Sequence, residues 1–287
     1  MMSAVADRLV LYLRMIKFSH SIFALPFALT SALIASAGVP SLRQIFWIIV
    51  AMVGARSAAM GLNRVIDRNI DSANPRTAKR EIPLGIIGVG ETIVFIVISF
   101  FSLILAAYML NPLCLRLSPL AVLVLFIYSF TKRFTWAAHF VLGLAISAAP
   151  LGAWIAVRGS YSPGILPLAL AVIFWLAGFD VLYALQDLEF DRSHGLYSIP
   201  QRFGVRNSLL LARGLHLLSF LLLCATAMIF QLGLIFWAGM VIVAGLFIYE
   251  HSLVWEGDLS KLDMAFFNMN GYISMTVFLF TLMNYLA

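Results

Sequence analysis

Three polar residues close the second apolar run of the chain: Asn63, Asp67 and Asp71, in the stretch NRVIDRNID (63–71). Spaced four apart, they stack on one face of a helix, where like charges repel unless a cation intervenes. A second set follows in DVLYALQDLEFD (180–191), where Asp187 and Asp191 repeat the spacing and Asp180 lies two turns earlier. Offsets of seven and eleven residues return to nearly the same angle at about 3.6 residues per turn. Arg56, Asn63 and Asp67 therefore form one stripe, and Asp180, Asp187 and Asp191 another.

Carboxylates and an amide oxygen are hard ligands, suited to Mg²⁺ rather than to zinc or copper. Mg²⁺ keeps waters and is normally held by one or two carboxylates together with substrate phosphates. Arg64, Arg68, Arg76, Lys79, Arg80, Lys132 and Arg192 crowd the same side of the chain. Carboxylates alone would point to a cation channel or transporter. Interleaved with arginine and lysine, they point to a phosphorylated anion bridged to the protein through metal. Pyrophosphate as a leaving group fits, because metal and cations stabilise the charge that develops on its oxygens.

The elements that position these residues are membrane helices. Of the 287 residues 62% are hydrophobic and 11% charged, against about 25% charged in a soluble domain. The apolar bias runs through the whole chain, so a cleaved leader does not account for it. Residues 1–18 predict an amphipathic helix. Apolar segments long enough for a bilayer core fall at 19–38, 44–62, 90–110, 112–130, 135–157, 164–183, 209–229, 231–250 and 265–286. The expected fold is an all-α polytopic membrane protein of about nine transmembrane helices, a single domain over residues 1–287. The two cysteines, Cys114 and Cys224, lie far apart in apolar runs and predict neither a disulfide framework nor a thiolate metal site.

Fifteen of the 19 basic residues fall in loops on one side, including Arg8, Lys17, Arg76, Lys132, Arg202 and Lys261. The positive-inside rule places that side, the N-terminus and both aspartate motifs in the cytoplasm. Acidic residues contribute little to topology, yet all 13 lie on that side or at its membrane edge. A solvated acidic–basic loop surface is one reading, and a polar mouth is the other. Four crossings separate the motifs, so both open to the same side. A shift of 124 aligns Gly54, Asn63, Asp67 and Arg68 with Gly178, Asp187, Asp191 and Arg192. It suggests a divergent four-helix repeat (about 19–134 and 135–250), with chance matching as the alternative. Arg56 has two readings, a functional one and an intramembrane ion pair. The formal net charge of +6 favours anionic lipid or substrate over nucleic acid, since the charges form no single soluble patch.

NRxxDxxxD (63–71) and DxxYAxQDxxxD (180–191), with RTAKREIP (76–83), YSFTKRFT (128–135) and SIPQRFG (198–204), resemble the UbiA superfamily of intramembrane aromatic prenyltransferases. The likeness covers essentially the whole chain. It implies a helical fold around a central cavity open to lipid and a Mg²⁺-dependent reaction in the cytoplasmic (cell inner) membrane. Asn63, Asp67, Asp71, Asp187 and Asp191 match the positions that bind Mg²⁺–diphosphate. Lys132, with Tyr128 one turn before it, matches a basic position that contacts diphosphate, and Arg56 an arginine placed for the acceptor's carboxylate. The implied reaction transfers a polyprenyl group from its diphosphate to a hydroxyaryl carboxylate, 4-hydroxybenzoate, in ubiquinone or menaquinone biosynthesis. Asp191 or Asp180 removes the ring proton. No obligate protein partner is expected.

The first span departs from the 4-hydroxybenzoate pattern. Ile16-Lys17-Phe18-Ser19-His20 lacks the proline and glycine expected there and resembles the branch that prenylates 1,4-dihydroxy-6-naphthoate. His20 is read either as an acceptor contact or as a structural hydrogen-bonder at the membrane entrance. A soluble trans-prenyltransferase is excluded by composition, and a CDP-alcohol phosphotransferase by the absence of a DGxxAR-type start. A transporter remains as the rival of a different class, although the far half of the membrane offers no acidic residue.

Overall fold

The structure is a computed structural model that describes residues 2–17, 23–254, 259, 262 and 268–287. Phe18, Ser19, His20 and Lys261, and the opening residues of the expected spans 19–38 and 265–286, lie outside the described residues.

Twelve α-helices are given by the described residues: α1 (Met2–Met15), α2 (Leu25–Ser36), α3 (Leu42–Ile66), α4 (Arg68–Ala73), α5 (Val89–Leu110), α6 (Pro112–Tyr128), α7 (Ala138–Arg158), α8 (Leu166–Ala184), α9 (Leu188–His194), α10 (Ile199–Ile229), α11 (Leu234–Ser252) and α12 (Asn270–Leu286). Their boundaries follow local chemistry. Ser41 caps α3 in a capping box with Gln44, and Asn111 caps α6 by accepting from the Leu113 and Cys114 amides, with Pro112 in the first turn. Ser198 caps α10, which starts ten residues before the expected span and absorbs a break at Gly204, whose φ of +76° suits glycine.

Among the described residues seven helices are long and apolar enough to cross a bilayer. Two of the nine expected spans correspond to shorter helices. The 12 residues of α2 reach only about 18 Å at the helical rise, short of a core of roughly 30 Å. The 17 residues of α12 reach about 25 Å.

Contacts run from α3 through α5, α6, α7, α8, α10, α11 and α12 and return through α2, closing a ring. The outer face is apolar: on α5, Val94, Val97, Ile98 and Phe101 are exposed, while Thr92, Ser99 and Ala106 are buried. That inversion suits a helix whose outside meets lipid and whose inside meets other helices.

Close helix approach sets the site. A Cβ at Gly143 of α7 would lie 2.6 Å from the carbonyl oxygen of Ile173 on α8. His139 lies one turn before Gly143, and Asp180 two turns after Ile173, so this contact fixes how the two helices present them. Gly143→Leu is expected to cost about 1–3 kcal/mol by overpacking and to lower the thermal midpoint of the detergent-solubilised protein by several degrees. An unchanged midpoint would show that the two backbones can part freely.

Candidate diphosphate site

Both aspartate motifs sit at helix breaks. α3 stops at Ile66 and α4 restarts at Arg68, with Asp67 between them at φ −90°, ψ 4°. The later motif repeats the device: a 3₁₀ turn over Leu185–Asp187 leads into α9, with Asp187 at φ −102°, ψ 5°. The breaks pair Asp67 with Asp187 and Asp71 with Asp191, an offset of 120. The shift of 124 taken from the sequence is therefore displaced by about one helical turn from the backbone correspondence of the two motifs.

The two motifs line one cavity of about 200 Å³, where α3, α6 and α8 end and α7 and α10 begin. Asp67, 1% exposed, meets Lys132 Nζ at 2.5 Å and Arg133 at 2.8 Å and accepts from Asn63 Nδ2 at 2.9 Å. Asp71 accepts from Arg80 Nη1 at 2.7 and 2.8 Å, one distance to each oxygen, with Arg64 behind it at 3.9 Å. Asp187 is clasped by Arg76 through Nε and Nη2 and accepts from Asn74 Nδ2 at 2.9 Å. Arg76 also donates to Tyr183 Oη at 2.8 Å. Burial alone would lower the Arg76 guanidinium, but its bonds to Asp187 and Tyr183 outweigh that and hold it above its ordinary value. Asp191 lines the cavity and has no ion-pair partner among the described residues.

The segment between α4 and α5 thus ties the first motif to the second, since Asn74 and Arg76 follow Asp71 directly and bind Asp187. The turn carrying Lys132 is held in turn by the Tyr197 amide, which donates to the Lys132 carbonyl at 2.9 Å. At the inner wall His139 bridges Asp180, at 2.7 Å, and the Ile199 amide, at 3.2 Å.

Among the residues singled out in the sequence, Asn63, Asp71, Arg76, Tyr128, Lys132, Asp180, Asp187 and Asp191 line the cavity. Asp67 is buried directly behind Lys132. Arg64 is buried with Nε donating to the Met15 carbonyl, and Arg68 and Arg192 are exposed; none of the three is part of the cavity wall. Arg56 is also off the wall. Its Nη2 reaches the Lys17 carbonyl at 3.4 Å, and its buried Nε has no hydrogen-bond partner. Arg80, one of the clustered cations named in the sequence, also lines the cavity, whereas Asn74, Arg133, His139 and Tyr183 join the wall or its ion pairs without having been singled out. For His139 a signal existed, because an ionisable residue inside an apolar helix is costly and normally earns its place.

The donor set fits a hard cation. Asn63, Asp71, Asp187 and Asp191 offer only oxygen around one cavity. Asp67 Oδ1, although 2.8 Å from Arg133, receives no hydrogen bond and keeps its acceptor capacity while buried. Among the described residues no three carboxylate, histidine or cysteine side chains form an all-protein cage. An all-oxygen donor set suits Mg²⁺, which shares its coordination with water and substrate phosphate.

The pattern that defines the UbiA prenyltransferase family matches residues 24–272. The chain is 34% identical over 250 residues to a 4-hydroxybenzoate octaprenyltransferase of Vibrio atlanticus (strain LGP32), covering 87% of each chain. It is 31% identical over 249 residues to the enzyme of that name from Vibrio cholerae serotype O1, again covering 87% of each. The apo structure of a UbiA homolog from Aeropyrum pernix K1 superimposes with a TM-score of 0.83 at 31% identity, covering 90% of this chain and 95% of that one. A UbiA homolog from Archaeoglobus fulgidus bound to DMAPP and Mg²⁺ shares the fold, with a TM-score of 0.65 at 18% identity over 93% of this chain and 98% of that one.

Proposed function

The chain belongs to the UbiA prenyltransferase family and is a membrane prenyltransferase, and from that premise we propose that it transfers a polyprenyl group from polyprenyl diphosphate to 4-hydroxybenzoate in quinone biosynthesis. The observation that carries this reading is the convergence of both aspartate motifs and their paired cations on one cavity. The names of its relatives support 4-hydroxybenzoate as the acceptor over the naphthoate alternative.

Arg76, Arg80 and Lys132 already lie against carboxylates on the cavity wall, within reach of an anion placed between them. They hold the diphosphate and stabilise the charge on its bridging oxygen as the allylic C–O bond breaks. Asn63, Asp67, Asp71, Asp187 and Asp191 would hold Mg²⁺, which when bound would supply Lewis-acid stabilisation of the same leaving group. The diphosphate departs with the electron pair, and the ring carbon ortho to the phenolic hydroxyl attacks the allylic cation. Asp180 or Asp191 then takes the ring proton. The site opens to the cytoplasm, in the inner membrane of the cell.

The partnerless Nε of Arg56 is the group offered to the acceptor's carboxylate. Arg56→Leu is expected to raise KM for 4-hydroxybenzoate about tenfold or more, the loss of one charge-assisted pair, with KM for the diphosphate unchanged. The test of the reaction itself is incubation of the purified protein with Mg²⁺ and a polyprenyl diphosphate. Mass spectrometry then looks for the prenylated ring from 4-hydroxybenzoate or from 1,4-dihydroxy-6-naphthoate. Product from 4-hydroxybenzoate supports the reading; product from the naphthoate alone moves the acceptor; no product from either contradicts it.

A further inference from the structure

The buried pair His139–Asp180 has a proton arrangement that its neighbours dictate. The backbone N–H of Ile199 can only donate, and it points at His139 Nε2 at 3.2 Å. That nitrogen must therefore offer its lone pair, and the ring proton must sit on Nδ1. Nδ1 lies 2.7 Å from Asp180 Oδ2, so the imidazole donates to the carboxylate. A protonated ring would set two N–H groups against each other at Nε2. Both ring nitrogens of His139 are thus engaged, Nδ1 with Asp180 and Nε2 with the Ile199 amide.

Asp180 is placed differently. Its side chain is 26% exposed, whereas that of His139 is 5% exposed, and both residues line the cavity. With Oδ2 occupied by His139, Oδ1 accepts no hydrogen bond from any described residue. Asp67, Asp71 and Asp187 each hold one or two cations, and Asp191, which lines the same cavity from α9, belongs to the proposed Mg²⁺ donor set. Three elements converge on the dyad, since His139 stands in the first turn of α7, Asp180 near the end of α8 and Ile199 at the start of α10.

We propose that His139 is a positioning residue for the reaction: by donating Nδ1–H to one oxygen of Asp180, it turns the other toward the cavity as the acceptor of the ring proton. The proposal rests on the prenyl-transfer reading above and decides between the two carboxylates left open there. In the step concerned, the new C–C bond has formed after diphosphate left with the C–O electron pair. The ring C–H proton then moves to Asp180 Oδ1, its bonding pair restores aromaticity, and Asp180 releases the proton to solvent. His139 gains and loses nothing.

The test uses the full chain in detergent with Mg²⁺, a polyprenyl diphosphate, and 4-hydroxybenzoate carrying either hydrogen or deuterium ortho to the hydroxyl. Four proteins are compared: wild type, His139→Leu, His139→Asn and Asp180→Asn. The asparagine amide nitrogen falls near the place of Nδ1 and keeps a donor for Asp180. In the wild type, proton loss follows a slower bond-forming step, so no primary isotope effect is expected. His139→Leu is expected to lower kcat about tenfold or more, a fraction of what acid–base catalysis supplies. It should leave KM for the diphosphate unchanged and bring out a primary isotope effect, because the misplaced carboxylate makes proton loss slow. His139→Asn should restore kcat and abolish the isotope effect. Asp180→Asn should be slower than His139→Leu.

Retained diphosphate binding shows that each variant is folded. If His139→Leu loses binding as well, the asparagine variant decides alone, with wild-type kinetics expected. His139→Leu with wild-type kcat, or with a lower kcat and no isotope effect, overturns the positioning role while leaving prenyl transfer intact. Asp180→Asn with wild-type kcat removes Asp180 as proton acceptor and the proposal with it. No prenylated product from the wild type is the distinct failure of the underlying reading.

Discussion

Asp187→Ala is expected to lower kcat/KM by about 10³-fold or more, at or beyond the upper range for removing one preorganised electrostatic contact in an active site. Asp187 holds both Nε and Nη2 of Arg76 and the amide of Asn74. Its loss therefore releases the segment that joins the two motifs, and it leaves a partly buried guanidinium without its counter-charge. It also removes one oxygen from the proposed Mg²⁺ donor set. Asp67→Ala should be as severe, because it strips Lys132 and Arg133 of a shared carboxylate that is 1% exposed. Steady-state turnover on both substrates checks this, with the thermal midpoint as a control for folding. A folded variant within tenfold of the wild type would remove that carboxylate from the machinery.

The second large effect belongs to the cation opposite. Lys132→Met keeps the aliphatic length of the side chain and removes the charge, and kcat is expected to fall about 10²-fold. The ammonium lies 2.5 Å from Asp67 and lines the cavity. The Tyr197 amide fixes its 3₁₀ turn against the segment that leads into α10. The loss should therefore appear in kcat more than in KM, since in the proposed reaction the charge acts on the departing oxygen. Lys132→Arg should recover part of the rate, because charge is kept while the compact ammonium geometry is not. An equal loss in the methionine and arginine variants would mean that shape, not charge, is what the position supplies.

How far the sequence discloses this site follows from which interactions are local. Helix content was legible because apolar runs of bilayer length have few alternatives. The end of α3 and the start of α9 were legible only as motifs, since the φ, ψ values of Asp67 and Asp187 mark helix breaks that no spacing rule predicts. A four-residue periodicity cannot tell one turn from the next, which is why the shift of 124 fell one turn from the backbone offset of 120. The start of α10 was missed because PQRFGVR carries charge and an interior glycine, and Gly204 accommodates both as a break.

For the site, the aspartates announced themselves as charges beside membrane helices, whereas their partners did not. Arg76, Arg80, Lys132 and Arg133 looked alike in the sequence, yet Arg76 serves Asp187, Arg80 serves Asp71, and Lys132 and Arg133 share Asp67. Arg68 and Arg192, adjacent to the motifs, point away into exposed surroundings because successive helical residues diverge by about 100°. Asn74 and His139 act through residues more than forty positions away or on other helices, and only folding brings those together. His20, in the departing first span, lies outside the described residues and keeps both readings given to it.

In the proposed reaction the two aspartate motifs bind one diphosphate together through Mg²⁺. The most direct measurement is calorimetric titration of a non-hydrolysable prenyl diphosphate analogue into the wild type, Asp67→Ala, Asp187→Ala and the double variant, with and without Mg²⁺. One Mg²⁺-dependent site per chain is expected in the wild type, abolished by either single substitution, with no further loss in the double variant. Binding that survives the loss of either motif, or that is indifferent to Mg²⁺, would contradict it.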